Sequence, residues 1–148
     1  SIKMYFMQMR AGSLVVNEKK ELLLIYRKGK WDFPKGKVEK KEKNQTGALR
    51  ETSEETGLEL DKLSLQQPLR KTAHLLKQKK IKTKWYLVKY KGSKQKLSPQ
   101  KEEGIEKCIW VSQDSLVLYI PYLRSYAREV LAYYIQYVQN PFGIQFVA

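Results

Sequence analysis

A chain of 148 residues with 42% apolar and 11% aromatic content is sized and composed for one domain with its own core, which excludes wholesale disorder. Its single cysteine excludes an internal disulfide framework, and no run approaches the roughly 18 apolar residues of a membrane helix. The net charge of +14 favours anionic partners over cationic ones.

In chain order, the opening SIKMYFMQMR is amphipathic and lacks the apolar centre and small-residue cleavage site of a signal peptide. A soluble cytoplasmic protein with no membrane partner is therefore expected. MYFMQMRAGSLVV alternates as one or two strands broken near Ala11 and Gly12, NEKK reads as a turn, and ELLLIYR as a buried strand. KGKWDFPKGK is expected to be irregular, because Gly29, Pro34 and Gly36 interrupt it. A helix is predicted from about Asn44 to Glu55, closed by Gly57 in a left-handed cap. Strand-like text returns in LRKTAHLL, IKTKWYLVKY and EKCIWV, the last preceded by the loop KGSKQKLSPQKEEG.

A short helix is expected near Ser112, where SQDS offers a cap, and a longer one from about Pro121 to Gln139. On the longer helix Leu123, Ala127, Val130, Leu131, Tyr134, Ile135 and Val138 share one face, which reads as core. The tail NPFGIQFVA could cover its own core or bridge to a second copy, so a monomer and a homodimer both stay open. Strands, helix, strands, helices make an α+β domain with helices on a mixed sheet, spanning residues 1–148 without a linker.

Two charge patterns stand out. From Lys77 to Lys96 there are nine lysines and no acid, a field suited to nucleotide phosphates, inositol phosphates or RNA, or simply a solubilising edge. Against that background Glu51, Glu54 and Glu55 stand at i, i+3 and i+4, where like charges on a helix repel by a few tenths of a kcal/mol per pair. Three carboxylates on one stripe form a cage for a hard divalent cation such as Mg²⁺, which takes oxygen ligands and shares its remaining sites with substrate phosphates.

Gly36, Glu42, Arg50-Glu51, Glu54-Glu55, Gly57 and Leu58 complete the spacing G-x5-E-x7-R-E-U-x-E-E-x-G-U over residues 36–58, with Thr52 as a half-polar substitute at the first apolar position U. This resembles the Nudix hydrolases, which cleave a nucleoside diphosphate linked to another moiety. The resemblance implies an α/β/α sandwich with a mixed central sheet. It also implies Mg²⁺ or Mn²⁺ held by Glu51, Glu54 and Glu55, with the Gly36 carbonyl as a further ligand and Glu42 assisting. Arg50 would hold the box glutamates by ion pairing, and Gly36 and Gly57 would shape the loops. The base outside the box is often a glutamate just before the next strand; PQKEEGIEKCIWV supplies Glu102 and Glu103, of which Glu103 is preferred.

The segment WDFPKGKVE is similar to the W-x-x-P-K-G-x-x-E of branches acting on diadenosine and diphosphoinositol polyphosphates; a related W-x-x-P-x-G occurs in enzymes trimming RNA 5′-triphosphate ends. The resemblance implies that Lys35 sits beside the metals as a phosphate ligand, and that Trp31 packs in the core or stacks on a base. The region from IKTKWYLVKY onward resembles asymmetrical diadenosine tetraphosphate hydrolases. There Tyr86 could stack on adenine or face the core, while Lys79, Lys84 and their neighbours would reach an extended polyphosphate. The substrate partner is thus a nucleotide or other polyphosphate, with RNA an alternative. His74 is expected to be structural or to hydrogen-bond substrate, and Cys108 to be a small near-core residue rather than a nucleophile. A non-catalytic sensing or interaction module usually lacks box carboxylates, and here none is missing.

Overall fold

The computed structural model describes residues 6–92 and 96–139. Eight strands are formed there: β1 (Phe6–Val16), β2 (Leu22–Arg27), β3 (Lys30–Asp32), β4 (Lys35–Lys37), β5 (Leu63–Pro68), β6 (Thr72–Leu76), β7 (Lys79–Tyr90) and β8 (Ile105–Val111). The helices are α1 (Asn44–Thr56), α2 (Leu116–Tyr119) and α3 (Ser125–Tyr133). The strands make one mixed sheet whose spine is the parallel pair β1–β7, in register from Phe6 opposite Lys79 to Val16 opposite Lys89. The other edge of β7 carries β6 and then β5, both antiparallel, while β4 and β2 pair with β1, and β3 and β8 with β2.

Alternation along β1 and β7 sends side chains to two cores. On one face Ala11, Val15, Tyr86, Val88 and Tyr90 pack with Ala48 and Leu58 from α1 and the loop after it. On the other, Leu14, Val16 and Trp85 pack with Leu123, Ala127, Val130 and Leu131 from α3 and its approach. Helix, sheet, helix is the layered sandwich expected.

Three local expectations are corrected. Strand β1 runs unbroken through Ala11 and Gly12. The glycine is there for space, since a Cβ on it would lie 2.5 Å from the Trp85 ring and 2.8 Å from the Lys35 side chain. The irregular KGKWDFPKGK holds two short strands, because β3 and β4 are recruited by long-range partners on β2 and β1. The long C-terminal helix starts at Ser125 rather than Pro121: Pro121 lies in a 3₁₀ turn, Leu123 is extended, and from Tyr134 to Gln139 the helix widens to π geometry. Strand β5 was not foreseen. Helix α1 and its Gly57 cap, at φ 78°, are as expected, and so is Ser112 as a cap, its Oγ accepting from Ser115 N–H. The apolar tail from 140 onward lies outside the described residues.

Candidate active site

Helix α1 docks across β1 through its half-polar Thr52, whose Oγ1 donates to Ala48 O (2.8 Å) and lies 2.9 Å from the Ser13 hydroxyl, all buried. This seats Arg50, Glu51, Glu54 and Glu55 at the sheet margin beside β4. Gly36 on β4 meets Glu51 directly: a Cβ there would fall 2.1 Å from the Glu51 carboxyl carbon, so only a glycine lets that carboxylate lie on the strand.

Arg50 is the hub of the box. Its Nε and Nη2 grip both oxygens of Glu42 (2.7 and 3.0 Å), Nη1 reaches Glu51 (3.1 Å) and Glu54 (3.1 Å), and Nη2 also donates to Lys37 O (3.0 Å). The Arg50 hydrogen bonds hold the Glu42 carboxyl below its ordinary range, and the same bonds push Arg50 up. Glu51 goes the other way: burial raises it, against Arg50, with Glu54 and Glu103 adding to the rise. Glu55 is the most enclosed. It accepts from Lys35 N–H (3.0 Å), and burial pushes its carboxyl up to about 8 in spite of Lys35.

Among the described residues no three acidic, thiol or imidazole groups already converge on one point. Arg50 draws Glu51 and Glu54 to one side, and the Lys35 amide holds Glu55 on the other. The donor set nevertheless fits a hard divalent ion. It consists of carboxylate oxygens, two of them protonated more readily than usual because they are buried, against a glycine strand with room for nothing larger.

The loop after β7 is stitched to the end of α1 by Ser98 N–H to Thr56 O (2.8 Å) and Gln100 N–H to Glu55 O (3.1 Å). It continues into the 3₁₀ turn Lys101–Glu103, closed by Gly104 at φ 79°. Glu103 is thereby exposed within electrostatic reach of Glu51, whose carboxyl it helps to raise. Cys108, on β8, donates Sγ–H to Glu55 O (3.6 Å), and burial pushes its thiol up to about 12, so it is an inert packing residue.

The opposite face of the sheet holds what the sequence reading missed. A cavity of about 520 Å³ opens between the sheet and α3, lined by seven lysine or arginine side chains and one carboxylate, Asp32. Arg10, Arg27, Lys28 and Lys30 come from the strands and the β2–β3 turn, and Arg124 and Arg128 from α3 and the residue before it. Two ring or guanidinium nitrogens here, His74 Nδ1 and Arg27 Nε, are buried with no hydrogen-bond partner. Burial, then Arg10 and Lys35, hold the His74 imidazolium below its ordinary range.

Lys35 joins the two regions. Its register opposite Gly12 sends its side chain to the α3 face, so the ammonium pairs with Asp32 (3.1 Å) and lies 5.3 Å from the Tyr126 ring centroid, while its backbone amide serves Glu55. Its backbone amide thus lies on Glu55, while its ammonium points to the cavity and still lowers the Glu55 carboxyl through charge. Trp31 packs between Tyr26 (4.8 Å) and Tyr119 (5.3 Å) and is absent from the cavity wall. Tyr86 is buried in the α1-side core, so neither ring is an open platform for a base. Lys84 lies on the α1 face two strands from Gly36, through Ala11, and Lys79 at the outer end of β7; neither lines the cavity.

The NUDIX domain model matches residues 7–134. Solved structures of the same fold include these three. The Caenorhabditis elegans Ap4A hydrolase binary complex is 20% identical, with a TM-score of 0.73 over 89% of this chain and 98% of that one. The MutT protein from Methanosarcina mazei Go1 is 27% identical (TM-score 0.71, 89% and 94%). The E. coli ORF135 protein is 19% identical (TM-score 0.72, 93% and 95%). With an intact 36–58 box folded as loop, helix and loop against a mixed sheet, the chain belongs to the Nudix family of phosphoanhydride hydrolases.

Proposed function

We propose that the chain is a divalent-metal-dependent pyrophosphohydrolase that lodges the phosphate-rich part of its substrate in the cationic cavity and presents an anhydride to the box carboxylates. The observation that carries this reading is Lys35, whose amide holds Glu55 and whose ammonium faces the cavity, so that the two regions meet at one residue.

Glu51, Glu54 and Glu55, with the Gly36 carbonyl, are the residues that would hold the ion. When bound, Mg²⁺ or Mn²⁺ supplies charge to phosphate oxygens and lowers the pKa of a water. Arg50 keeps Glu51 and Glu54 oriented along α1, a structural task. Glu103, anchored through the backbone of its loop, takes the proton of the attacking water. In the cavity, Arg10, Arg124 and Arg128 bind phosphate oxygens as rigid donors.

The reference substrate is a dinucleoside polyphosphate such as diadenosine tetraphosphate. One observation favours a second reading, a compact and densely phosphorylated molecule such as a diphosphoinositol polyphosphate. The cavity's aromatic ring is already covered: Tyr126 stacks on His74 at 4.9 Å and on Trp85 at 5.9 Å. The test is product analysis with Mg²⁺. AMP plus ATP from diadenosine tetraphosphate supports the first reading. Phosphate release from the inositol compound, without dinucleotide turnover, supports the second. Turnover of neither, with Mn²⁺ and 5′-triphosphorylated RNA included, refutes the proposal.

A further inference from the structure

Asp32 stands where a site built only to bind anions would carry no carboxylate. It is the one acidic side chain among the described residues lining a cavity of lysines and arginines, and it repels the anion those cations attract. It is nonetheless 3% exposed and held by three donors: Phe33 N–H (2.7 Å), Lys35 Nζ (3.1 Å) and the Tyr126 hydroxyl. Tyr126 is itself fixed between His74 on β6 and Trp85 on β7, so the clamp ties α3 to the strands.

Three residues along from Asp32, the Lys35 amide donates to Glu55. The short β3–β4 connection leaves little slack between a side chain fixed at 32 and a backbone amide fixed at 35. Lys35 Nζ is buried, and among the described residues its ion pair is with Asp32.

We propose that Asp32, clamped by Tyr126, is a positioning residue: it fixes Lys35 so that its amide stays on Glu55 and its ammonium stays in the cavity, and it does so at the expense of anion affinity. The proposal rests on the pyrophosphohydrolase reading above. It gives Asp32→Asn opposite effects on binding and on turnover, which loss of packing alone would not produce.

Two readouts test it on the whole chain. The first is calorimetric titration of the metal-free protein with inorganic tripolyphosphate. The second is steady-state kinetics with Mg²⁺ on whichever polyphosphate the wild type hydrolyses. Asp32→Asn is expected to bind tripolyphosphate about threefold to tenfold more tightly, while kcat falls about tenfold or more with no rise in KM. Tyr126→Phe keeps the ion pair and the Asp32 charge, so it is expected to lower kcat by less and to leave tripolyphosphate affinity unchanged. An unchanged kcat in Asp32→Asn overturns the proposal whatever the binding does, and so does weaker tripolyphosphate binding that tracks a loss of Tm. Should Asp32→Asn fail to fold by circular dichroism, Tyr126→Phe decides, and an unchanged kcat there overturns it. A wild type that turns over no polyphosphate refutes the hydrolase reading instead; tripolyphosphate binding that Asp32→Asn leaves unaltered or weaker then overturns this proposal separately.

Discussion

At the scale of single residues, the box carboxylates differ in environment more than their shared spacing suggests. Glu54 is open to solvent, Glu51 is mostly covered, and Glu55 is buried against the Lys35 amide. The i, i+3, i+4 stripe was legible in the sequence because helical geometry follows from local spacing. The burial of Glu55 was not, because it depends on β4 pairing with β1 more than twenty residues upstream. A consequence is a pH-dependent stability in the metal-free protein. Burial holds the folded carboxyl at about 8 against an ordinary 4.5, so between those values the folded chain keeps a proton the unfolded chain has lost. The stabilisation from Glu55 is full below about 4.5 and declines as the pH rises toward about 8. Glu55→Gln removes that decline, since the amide mimics the neutral acid and its Oε1 still accepts from Lys35. Thermal melts in chelator should show the variant gaining on the wild type from pH 5 to 8, while its turnover is abolished. Retained turnover would refute the metal role of Glu55.

At the scale of elements, the Thr52 position shows what a departure from the box pattern does. In the sequence this threonine reads as a half-polar substitute at an apolar position. In the fold, its hydroxyl meets Ser13 from β1 and the Ala48 carbonyl one turn earlier, making a small buried polar seam between helix and sheet. Thr52→Val and Ser13→Ala are each expected to cost about 1 kcal/mol. The double variant should cost less than the sum, because neither hydroxyl is then left without its neighbour. Chemical denaturation of the four proteins checks this, and strict additivity would refute the seam. Strands β3 and β4 belong to the same lesson. Glycine and proline punctuation correctly marked a break in local preference, but pairing partners far along the chain override such preferences in short segments.

At the scale of the molecule, the positive charge divides between the two faces of the sheet. The lysine run from 77 to 96 drew attention because it is contiguous. The cations that enclose a cavity instead come from separate segments, around residues 10, 27–35 and 124–128, and no linear window could collect them. The register places Lys80 and Lys82 opposite Met7 and Met9, on the α1 face and away from that cavity. Charge reversal of Lys80 and Lys82 is therefore expected to change KM by less than about threefold at physiological salt, where exposed charges are screened. Arg124→Ala, which removes a cavity wall, should raise KM by about tenfold or more. Equal effects would return the polyphosphate to the lysine strand.

The backbone bonds from Ser98 and Gln100 to the last turn of α1 have one more effect, on how the site opens. Helix ends fray first, and here the fraying end is also the anchor of the loop that carries Glu103. Hydrogen exchange is expected to show the amides of residues 98 and 100 protected to a similar degree as the last turn of α1, whose carbonyls at 55 and 56 they bond. Glu55 and the loop acid Glu103 are thus coupled through the backbone, so loosening of the last turn of α1 is expected to loosen both together.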